Sequence, residues 1–169
     1  LDYGCGKLRY AVILKQHASR LTVVDSEVQI NRNQKIGEER TTIKDYIDRW
    51  DGVEALSIDD FEDESTSYDT ALCCNVLSTI PEEDEIDRCI TRVKNSLDTD
   101  GKCLFSTMYR NSYYSKKAES EDSTPYLHGY LIEGRHRYSY FGLIDREKLT
   151  ELVTENGLDA EQTWVSNGT

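Results

Sequence analysis

The 169-residue chain lacks long apolar runs and is short of positive charge. No apolar stretch approaches the roughly 18–20 residues that a membrane-spanning helix needs, so we expect no membrane partner. Lys and Arg number 20 against 32 Asp and Glu, which gives a formal net charge of −12. Broad nucleic-acid binding depends on neutralising phosphates, so the charge excludes it and leaves only a local nucleic-acid site open. Solubility is the simpler interpretation of the acidity.

The cysteines also lack a pattern. Their number is odd, no Cys-x-x-Cys pair is present, and most lie in apolar surroundings. This favours reduced core thiols in a cytoplasmic protein, and no metal site is predicted. The five are Cys5, Cys73, Cys74, Cys89 and Cys103.

Strand-like and helix-like segments alternate through the chain. Alternation of this kind predicts an α/β fold, a Rossmann-like, doubly wound and mostly parallel sheet with helices on both faces. The predicted strands are Leu1–Tyr3, Leu21–Val24, Val53–Ile58, Thr70–Cys74, Lys102–Met108, Tyr126–Ile132, His136–Leu143 and Leu158–Val165. The predicted helices are Lys7–Gln16, Val28–Lys35, Thr41–Trp50, a helix that follows a Thr79–Glu82 capping box and ends near Leu97, and Asp145–Glu155 with Asp145 as N-cap and Gly157 after its C-terminus.

We expect residues 1–169 to form one domain with an insertion at about 109–142, most of it a β-hairpin. The hydrophobic content of 37% is low but sufficient for one core. The chain starts with Leu1, already inside a predicted strand, and no obvious segment supplies a last strand of the sheet after residue 165. We therefore expect a sheet that is abridged at the N-terminus and at the last strand, or a fragment of a longer protein.

The first six residues carry the strongest functional signal. A strand start runs into Asp2 and then the turn Gly4-Cys5-Gly6, and a helix is predicted to follow. A strand, a Gly-rich turn and a helix bring backbone N–H groups close to a nucleotide-like ligand. Asp25 ends the second predicted strand, where a carboxylate accepts hydrogen bonds from ribose hydroxyls. A dinucleotide-binding fingerprint needs a third glycine after Gly6, and this glycine is absent from the segment that continues with Lys7 and Leu8. Its absence argues against NAD or FAD as the cofactor.

Together these segments resemble the class I S-adenosylmethionine-dependent methyltransferases. Asp2–Gly6 is similar to their first motif and Val23–Asp25 to their second. Ile58–Phe61 resembles their adenine-contacting turn, and Tyr68–Leu77 their fourth motif. Pro81–Met108 follows their pattern of helix, turn and fifth strand. The resemblance covers nearly the whole chain and implies S-adenosylmethionine as cofactor.

The resemblance also implies a role for particular residues. Gly4 and Gly6 would let the backbone pass close to the methionine part of the cofactor, and Asp2 would help orient its amino group. Asp25 would hold the ribose diol. The complete implied cofactor set is Asp2, Tyr3, Gly4, Cys5, Gly6, Asp25, Ser26, Asp59, Asp60, Phe61, Asn75 and Val76.

Two parts of that set have a simpler interpretation. Asp59 or Asp60 would accept from the adenine amino group with Phe61 beside the ring, but an acidic run at 59–64 is also typical of a solvated loop. Asn75 and Val76 would line the floor beside the sulfonium, but Asn75 is equally suited to capping the next turn.

The acceptor side is predicted from the insertion, where aromatic and basic residues alternate. Such side chains suit a nucleobase, a phosphate or an aromatic small molecule, but tyrosines are also common in plain hairpins. The residues are Tyr109, Arg110, Tyr113, Tyr114, Lys116, Lys117, Tyr126, Tyr130, Arg135, His136, Arg137, Tyr138 and Tyr140. His128 and His136 are candidate general bases with no partner identifiable from sequence.

The sequence therefore predicts a methyltransferase that moves a methyl group to an O or N atom of an unidentified acceptor, a small molecule or a nucleic acid. The segment Asn75–Ser78 lacks the prolines and aromatic residue of amino-methylating DNA enzymes. The alternative is a non-catalytic domain of a larger protein that binds S-adenosylmethionine or a partner. The catalytic residue and the oligomeric state are not predicted.

Overall fold

The computed structural model describes residues 1–62, 65–108, 116, 118–134 and 138–166. The chain divides into two compact units. Unit 1 comprises Leu1–Cys73 and Ser96–Leu104, and unit 2 comprises Cys74–Asn95 and Phe105–Thr169. The expectation of one domain with an acceptor-side insertion stays a prediction.

The elements alternate between strand and helix as the sequence predicts. In chain order they are β1 (Asp2–Tyr3), α1 (Ala11–Leu14), β2 (Leu21–Asp25), α2 (Glu27–Asn31), β3 (Gln34–Ile36), β4 (Glu39–Thr41), α3 (Ile43–Ile47), β5 (Val53–Ser57), α4 (Ile58–Glu62), β6 (Tyr68–Cys74), a 3₁₀ turn (Leu77–Thr79), α5 (Glu83–Asn95), β7 (Leu97–Ser106), β8 (Ser123–Tyr126), β9 (Gly129–Glu133), β10 (Tyr138–Gly142) and α6 (Arg146–Glu155).

Five strands form the main sheet in the order β5-β2-β1-β6-β7. The pairs β1–β2, β1–β6 and β2–β5 are parallel, with Asp2 opposite both Val23 and Leu72. The chain leaves β1 to build one side of the sheet and returns to build the other, so the strand order reverses beside β1. A Rossmann-like α/β fold is thereby confirmed, and ligands of such sheets bind where the order reverses, at the carboxyl ends of the strands.

The core of unit 1 lies against β2, whose first four residues are all buried, as expected for a strand covered on both faces. The buried apolar cluster consists of Cys5, Leu8, Ala11, Leu21, Val23, Ile30, Ile36, Ile43 and Ile47. Helices α2 and α3 pack against β5 on the same part of the sheet. None of the helices within the described residues is long and apolar enough to span a bilayer.

Two predicted helices of unit 1 are too long. The helix expected over Lys7–Gln16 is reduced to α1, because Leu8 has a positive φ of 62° and its N–H bonds back to the Cys5 carbonyl in a turn. The helix expected over Val28–Lys35 ends at Asn31 and a two-stranded ribbon of β3 and β4 follows. Gln34 and Ile36 are buried at alternate positions, which is the period of a strand.

The helix expected over Thr41–Trp50 is confirmed as the shorter α3, with Thr42 as its N-cap. The predicted capping box at Thr79 is wrong. Its hydroxyl donates to the Val76 carbonyl at 2.8 Å, within the 3₁₀ turn, and the first bond of α5 runs from Ile86 N to Glu82 O at 3.1 Å. α5 ends at Asn95, so Leu97 belongs to β7, which starts earlier than the predicted Lys102.

The C-terminal part of unit 2 confirms one prediction and contradicts another. Asp145 caps α6 by accepting from Lys148 N at 2.9 Å, and Gly157 (φ 79°) closes the helix. The predicted strand Leu158–Val165 is wrong, because residues 158–166 form no strand. Leu158 N bonds to Val153 O at 3.1 Å to complete the helix end, and the side chains of Trp164 and Val165 are exposed.

The predicted hairpin is confirmed in its strand pairing. β9 and β10 are antiparallel, with Tyr138 opposite Glu133 and Gly142 opposite Gly129. β8 adds a third strand on the other side of β9, which the sequence did not predict. Residues 135–137, in the connection between β9 and β10, lie outside the described residues.

Candidate active site

The turn after β1 is shaped by two left-handed glycines. Gly4 has φ 78° and Gly6 has φ 57°, conformations that glycine adopts without the steric cost of a Cβ. Both Gly4 N and Cys5 N donate to the Val24 carbonyl, at 2.8 and 3.0 Å. The turn is therefore fastened to the end of β2, and the motif predicted from sequence is a defined backbone loop.

Both backbone polar groups of Gly6 are held by side chains. Gly6 N donates to Asp25 Oδ2 at 2.9 Å, and its carbonyl accepts a hydrogen bond from Gln29 Nε2. A Cβ added at Gly6 would find no atom within 4 Å, so open space lies beside the loop. A ligand can approach the backbone there, which is the use that the sequence predicts for this glycine.

Gln29 is a residue that the sequence reading missed. It connects the glycine loop to the β3–β4 ribbon, since its Nε2 also lies 3.2 Å from Gln34 Oε1, and Gln34 is only 6% exposed. Gln34 Nε2 in turn donates to the Gln29 carbonyl at 3.2 Å. The available signal was the Ser26-x-x-Gln29 capping pattern, in which Ser26 Oγ does accept from Gln29 N at 3.3 Å.

Asp25 supports the loop and the next helix with separate oxygens. Oδ2 accepts from Gly6 N, while Oδ1 accepts from Ser26 N at 2.8 Å. An ionised carboxylate has about four lone-pair sites, so Asp25 retains capacity to accept from a ligand. Ser26 itself acts as the N-cap of α2, and its predicted contact with a cofactor stays a prediction.

The strand register brings the acidic segment that follows β5 beside Asp25. Asp25 pairs with Ser57, the last residue of β5, and α4 follows immediately. The segment with Asp59 and Asp60 is thus the first turn of a helix, which contradicts the alternative of a plain solvated loop for these two positions. Ser57 Oγ donates to Asp60 Oδ2 at 2.7 Å and accepts from Asp60 N at 3.0 Å.

A cavity of about 340 Å³ opens beside these two aspartates. Its wall is mixed, with carboxylates, one ammonium group and two apolar side chains. The lining residues are Glu27, Ile30, Asn31, Lys44, Ala55, Ser57, Asp59 and Asp60. Asp60 is occupied by the Ser57 hydroxyl, so Asp59 is the better placed of the two to accept from a ligand donor.

Phe61 lies behind this wall. Its ring is buried, with centroids 5.8 Å from Tyr3 in an edge-to-face arrangement and 6.3 Å from Tyr68. Aromatic packing of this kind stabilises the turn that carries Asp59 and Asp60. The predicted contacts of Phe61 and Tyr3 with a cofactor stay predictions.

Asp2 is a buried carboxylate with an unsatisfied oxygen. It is 1% exposed, and its Oδ2 has no hydrogen-bond partner. Burial raises the pKa of Asp2 to about 6, and the negative charge of Asp25 adds to the shift. An unpaired buried carboxylate oxygen is costly, and a ligand cation or donor would compensate for it.

Cys5, between the two glycines, is chemically unreactive. Burial raises the pKa of its thiol well above the ordinary value, and the negative charges of Asp25 and Asp2 add to the effect. The thiol therefore stays protonated and does not act as a nucleophile. None of the five cysteines, all within the described residues, forms a disulfide bond.

Asn75 and Val76 follow β6 and belong to unit 2. Asn75 has φ 60°, a left-handed conformation that asparagine tolerates better than most residues, and its N–H donates to Ser106 O at 2.8 Å. The alternative that Asn75 caps the next turn is wrong, because Val76 occupies that position and no side chain caps it. The predicted role of both residues beside the sulfonium stays a prediction.

Residues 1–163 match the family model described as "Methyltransferase domain". The chain belongs to this family. It is also 34% identical over 169 residues to the uncharacterized protein YmfD of Escherichia coli (strain K12), a match that covers 99% of this chain and 75% of YmfD.

Solved structures share the fold of this methyltransferase domain at low identity. DhpI, in the DhpI-SAM-HEP complex, has a TM-score of 0.61 at 17% identity, over 92% of this chain and 68% of DhpI. The 1,6-didemethyltoxoflavin-N1-methyltransferase of Burkholderia thailandensis, solved with 1,6-didemethyltoxoflavin and S-adenosylhomocysteine, has a TM-score of 0.56 at 17% identity, over 92% and 57% of the two chains. The fold and family predicted from the sequence are confirmed.

The acceptor side of the methyltransferase domain is described in part. The predicted residues that lie outside the described ones are Tyr109, Arg110, Tyr113, Tyr114, Lys117, Arg135, His136 and Arg137. His128, for which the sequence offered no partner, has one: its Nε2 lies 2.9 Å from Glu83 Oε1. The use of the insertion for acceptor binding stays a prediction.

Proposed function

We propose that this chain is an S-adenosylmethionine-dependent methyltransferase that methylates an O or N atom of a small-molecule acceptor. The observation that carries the proposal is the bond from Gly6 N to Asp25 Oδ2, at 2.9 Å. It joins the Gly-x-Gly loop of β1 to the acid that ends β2. The strand register then sets Ser57 and the aspartates of α4 beside that acid.

The residues of unit 1 fit the cofactor. The free oxygen of Asp2 suits the amino group of the methionine part, and the open space at Gly6 suits its close approach. Asp25 would accept from the ribose hydroxyls, and Asp59 from the adenine amino group at the cavity edge. When bound, S-adenosylmethionine supplies an electrophilic methyl group on a positively charged sulfur.

The chain's own contribution is to position the two reactants and to exclude water from them. A fixed loop and the carboxylates around it hold one reactant, so that an acceptor atom attacks in line, and alignment alone supplies much of the rate. Cys5 stays protonated and takes no part in the transfer.

A small molecule is the favoured acceptor class. The net charge of −12 opposes a broad nucleic-acid surface. The structural relative from Burkholderia thailandensis is, according to its name, a methyltransferase that acts on a small molecule. A nucleic acid would need a local basic site, and most basic residues predicted for one lie outside the described residues.

The first test is calorimetric titration with S-adenosylmethionine and S-adenosylhomocysteine, with NADH as the control ligand. We expect micromolar binding of both sulfur ligands and none of NADH. Asp25→Ala should weaken binding about 100-fold, since two bonds to a charged acceptor are lost at about 1.5 kcal/mol or more each. Asp51→Ala removes an exposed acid elsewhere and should change nothing.

Absence of binding by either sulfur ligand would contradict the proposal. Binding without methyl transfer to any acceptor tested would instead indicate the non-catalytic binding domain that the sequence left as the alternative. Transfer to an oligonucleotide but to no small molecule would overturn the acceptor class alone.

A further inference from the structure

Arg32, the residue that follows α2, contacts the side-chain amides of two glutamines of unit 1. Its Nη2 donates to Gln29 Oε1 at 2.5 Å and to Gln34 Oε1 at 3.2 Å. The two glutamines are also joined to each other, since Gln29 Nε2 lies 3.2 Å from Gln34 Oε1 and Gln34 Nε2 donates to the Gln29 carbonyl. Three side chains thus form one network between α2 and the β3–β4 ribbon.

The guanidinium of Arg32 sets the direction of both amides. A guanidinium has only donors, so an oxygen and not an NH₂ group has to face it. Each glutamine therefore turns Oε1 towards Arg32 and Nε2 away from it. The Nε2 of Gln29 that is turned away meets the Gly6 carbonyl and donates to it.

The reverse orientation of the Gln29 amide is unfavourable at both ends. It would put an NH₂ group against the guanidinium of Arg32, where two donors meet. It would also put Oε1 against the Gly6 carbonyl oxygen, where two acceptors meet. The bond to Gly6 consequently depends on the cation on the other side of the amide, and bonds from a charged donor are stronger than neutral ones.

The ribbon anchors the network on the side away from the loop. Gln34 is the first residue of β3, pairs with Thr41 of β4 and is only 6% exposed. Arg32 itself is exposed and stays beside the amides through the bonds to their oxygens. The ribbon therefore supplies a fixed point from which an exposed arginine orients Gln29.

The other end of the network is the residue that a ligand approaches. Gly6 N donates to Asp25 Oδ2 at 2.9 Å and its carbonyl accepts from Gln29, while the space beside its Cα is open. Fixing both polar groups of Gly6 fixes the backbone at the point of approach. Hydrogen bonds in such a chain also polarise one another, so a change at one end is felt at the other.

We propose that Arg32 is a positioning residue for cofactor binding. It acts through Gln29, whose amide it orients towards the Gly6 carbonyl, and so keeps the glycine loop in the conformation that receives the methionine part of S-adenosylmethionine. The inference rests on the proposed function for the identity of the ligand.

The test is calorimetric titration with S-adenosylhomocysteine, which lacks the sulfonium charge, so that loss of a cation from the protein does not act directly on the ligand. Arg32→Met should weaken binding about fivefold, the equivalent of one ordinary hydrogen bond. Arg32→Lys should stay within about twofold of the unmodified chain, because an ammonium also has only donors. Arg40→Met removes an exposed arginine from β4 of the same ribbon and should change nothing.

A double variant separates orientation of Gln29 from a general structural role. If Arg32 acts through Gln29, Arg32→Met combined with Gln29→Ala should bind no more weakly than Gln29→Ala alone. Losses that multiply in the double variant would overturn the proposal, as would an unchanged affinity in Arg32→Met. Failure of Arg32→Lys to restore binding would also overturn it.

The free protein gives a second readout that needs no ligand. The N–H of Lys7 shares a peptide group with the Gly6 carbonyl, so its ¹⁵N chemical shift responds to the bond from Gln29. Arg32→Met and Gln29→Ala should move this signal in the same direction, and Arg40→Met should leave it in place. A signal that moves in Gln29→Ala but not in Arg32→Met would overturn the proposal.

Failure of the proposed function would look different. It would appear as an unmodified chain that binds neither S-adenosylmethionine nor S-adenosylhomocysteine. The Lys7 shifts would still decide whether Arg32 orients Gln29.

Discussion

The glycine loop of unit 1 and the three-stranded sheet of unit 2 are organised by different means. The loop is built from backbone groups, and Asp25 and Gln29 hold the N–H and the carbonyl of a single residue, Gly6. The sheet presents side chains instead, and His128, in the turn between β8 and β9, pairs with Glu83, a residue far from it in sequence.

This difference indicates how readily the residues of each unit can be substituted. A cofactor common to a family can be bound by backbone geometry, which tolerates little variation at its glycines. An acceptor is recognised by side chains on a scaffold, which can be replaced singly. If the two halves are energetically separate, damage to one should leave the other intact.

The largest effect is expected from Gly129→Ala. A Cβ at this position would lie 1.9 Å from the Phe141 carbonyl oxygen, so β9 and β10 cannot keep their register. We expect a stability loss of about 3 kcal/mol, the upper end for overpacking. Methyl transfer should be lost while S-adenosylmethionine affinity changes by less than about threefold, or under 1 kcal/mol.

The measurements for Gly129→Ala are thermal unfolding, calorimetry and methyl transfer on the same preparation. Ser139→Ala, a small exposed change on the neighbouring strand, is the control and should behave as the unmodified chain. A parallel loss of cofactor affinity would contradict this expectation, because it would show that cofactor binding by unit 1 depends on the fold of unit 2.

The second effect concerns the pH dependence of cofactor binding through Asp2. Its pKa is raised to about 6, so the carboxyl is neutral below that pH and charged above it. Only the charged form pairs with the amino group of the cofactor, so affinity should fall about tenfold from pH 7 to pH 5. Calorimetry across this range should show the slope in the unmodified chain and none in Asp2→Asn.

The stability of the free protein should follow the opposite sign. A carboxyl whose pKa is raised on folding contributes stability below its unfolded pKa, near 3.8, and loses it as the pH rises through about 6. Asp2→Asn should therefore lose less stability than the unmodified chain over that window in denaturant unfolding. Identical pH profiles for the two proteins would show that Asp2 is not the buried titrating group.

The smallest effect is expected from Gln29→Ala. It removes the hydrogen bond to the Gly6 carbonyl and the link to Gln34, so Gly6 loses one of its two side-chain supports. S-adenosylmethionine affinity should weaken about fivefold, the equivalent of one ordinary hydrogen bond of about 1 kcal/mol. Gln16→Ala, an exposed glutamine after α1, is the matched control for the calorimetric titration.

Gln29→Glu sharpens the result. A carboxylate would repel the Gly6 carbonyl instead of donating to it, so the affinity should drop further than in Gln29→Ala. An unchanged affinity in both variants would indicate that Asp25 and the backbone bonds to Val24 hold the loop without Gln29.

Much of unit 1 follows from the sequence because its signals are local. Gly4, Gly6 and Asp25 are spaced as a strand, a turn and a second strand require. The structure joins Gly6 N to Asp25 Oδ2 at 2.9 Å and Gly4 N to the Val24 carbonyl at 2.8 Å. The predicted helix ends were wrong where tertiary structure overrode the periodic pattern of apolar residues. Leu8 adopts a left-handed turn for the loop, and Gln34 is buried in a ribbon that no pattern marked.

The fold class, the family and the glycine loop could be predicted from the amino-acid pattern, because these depend on backbone conformation and on the order of strands along the chain. Three contacts became visible only in the folded chain: Gln29 holds the Gly6 carbonyl, the acids after β5 start a helix, and Glu83 pairs with His128. Those contacts join residues 23 and 45 positions apart in two of the cases, and their partners are chosen by packing rather than by any local preference.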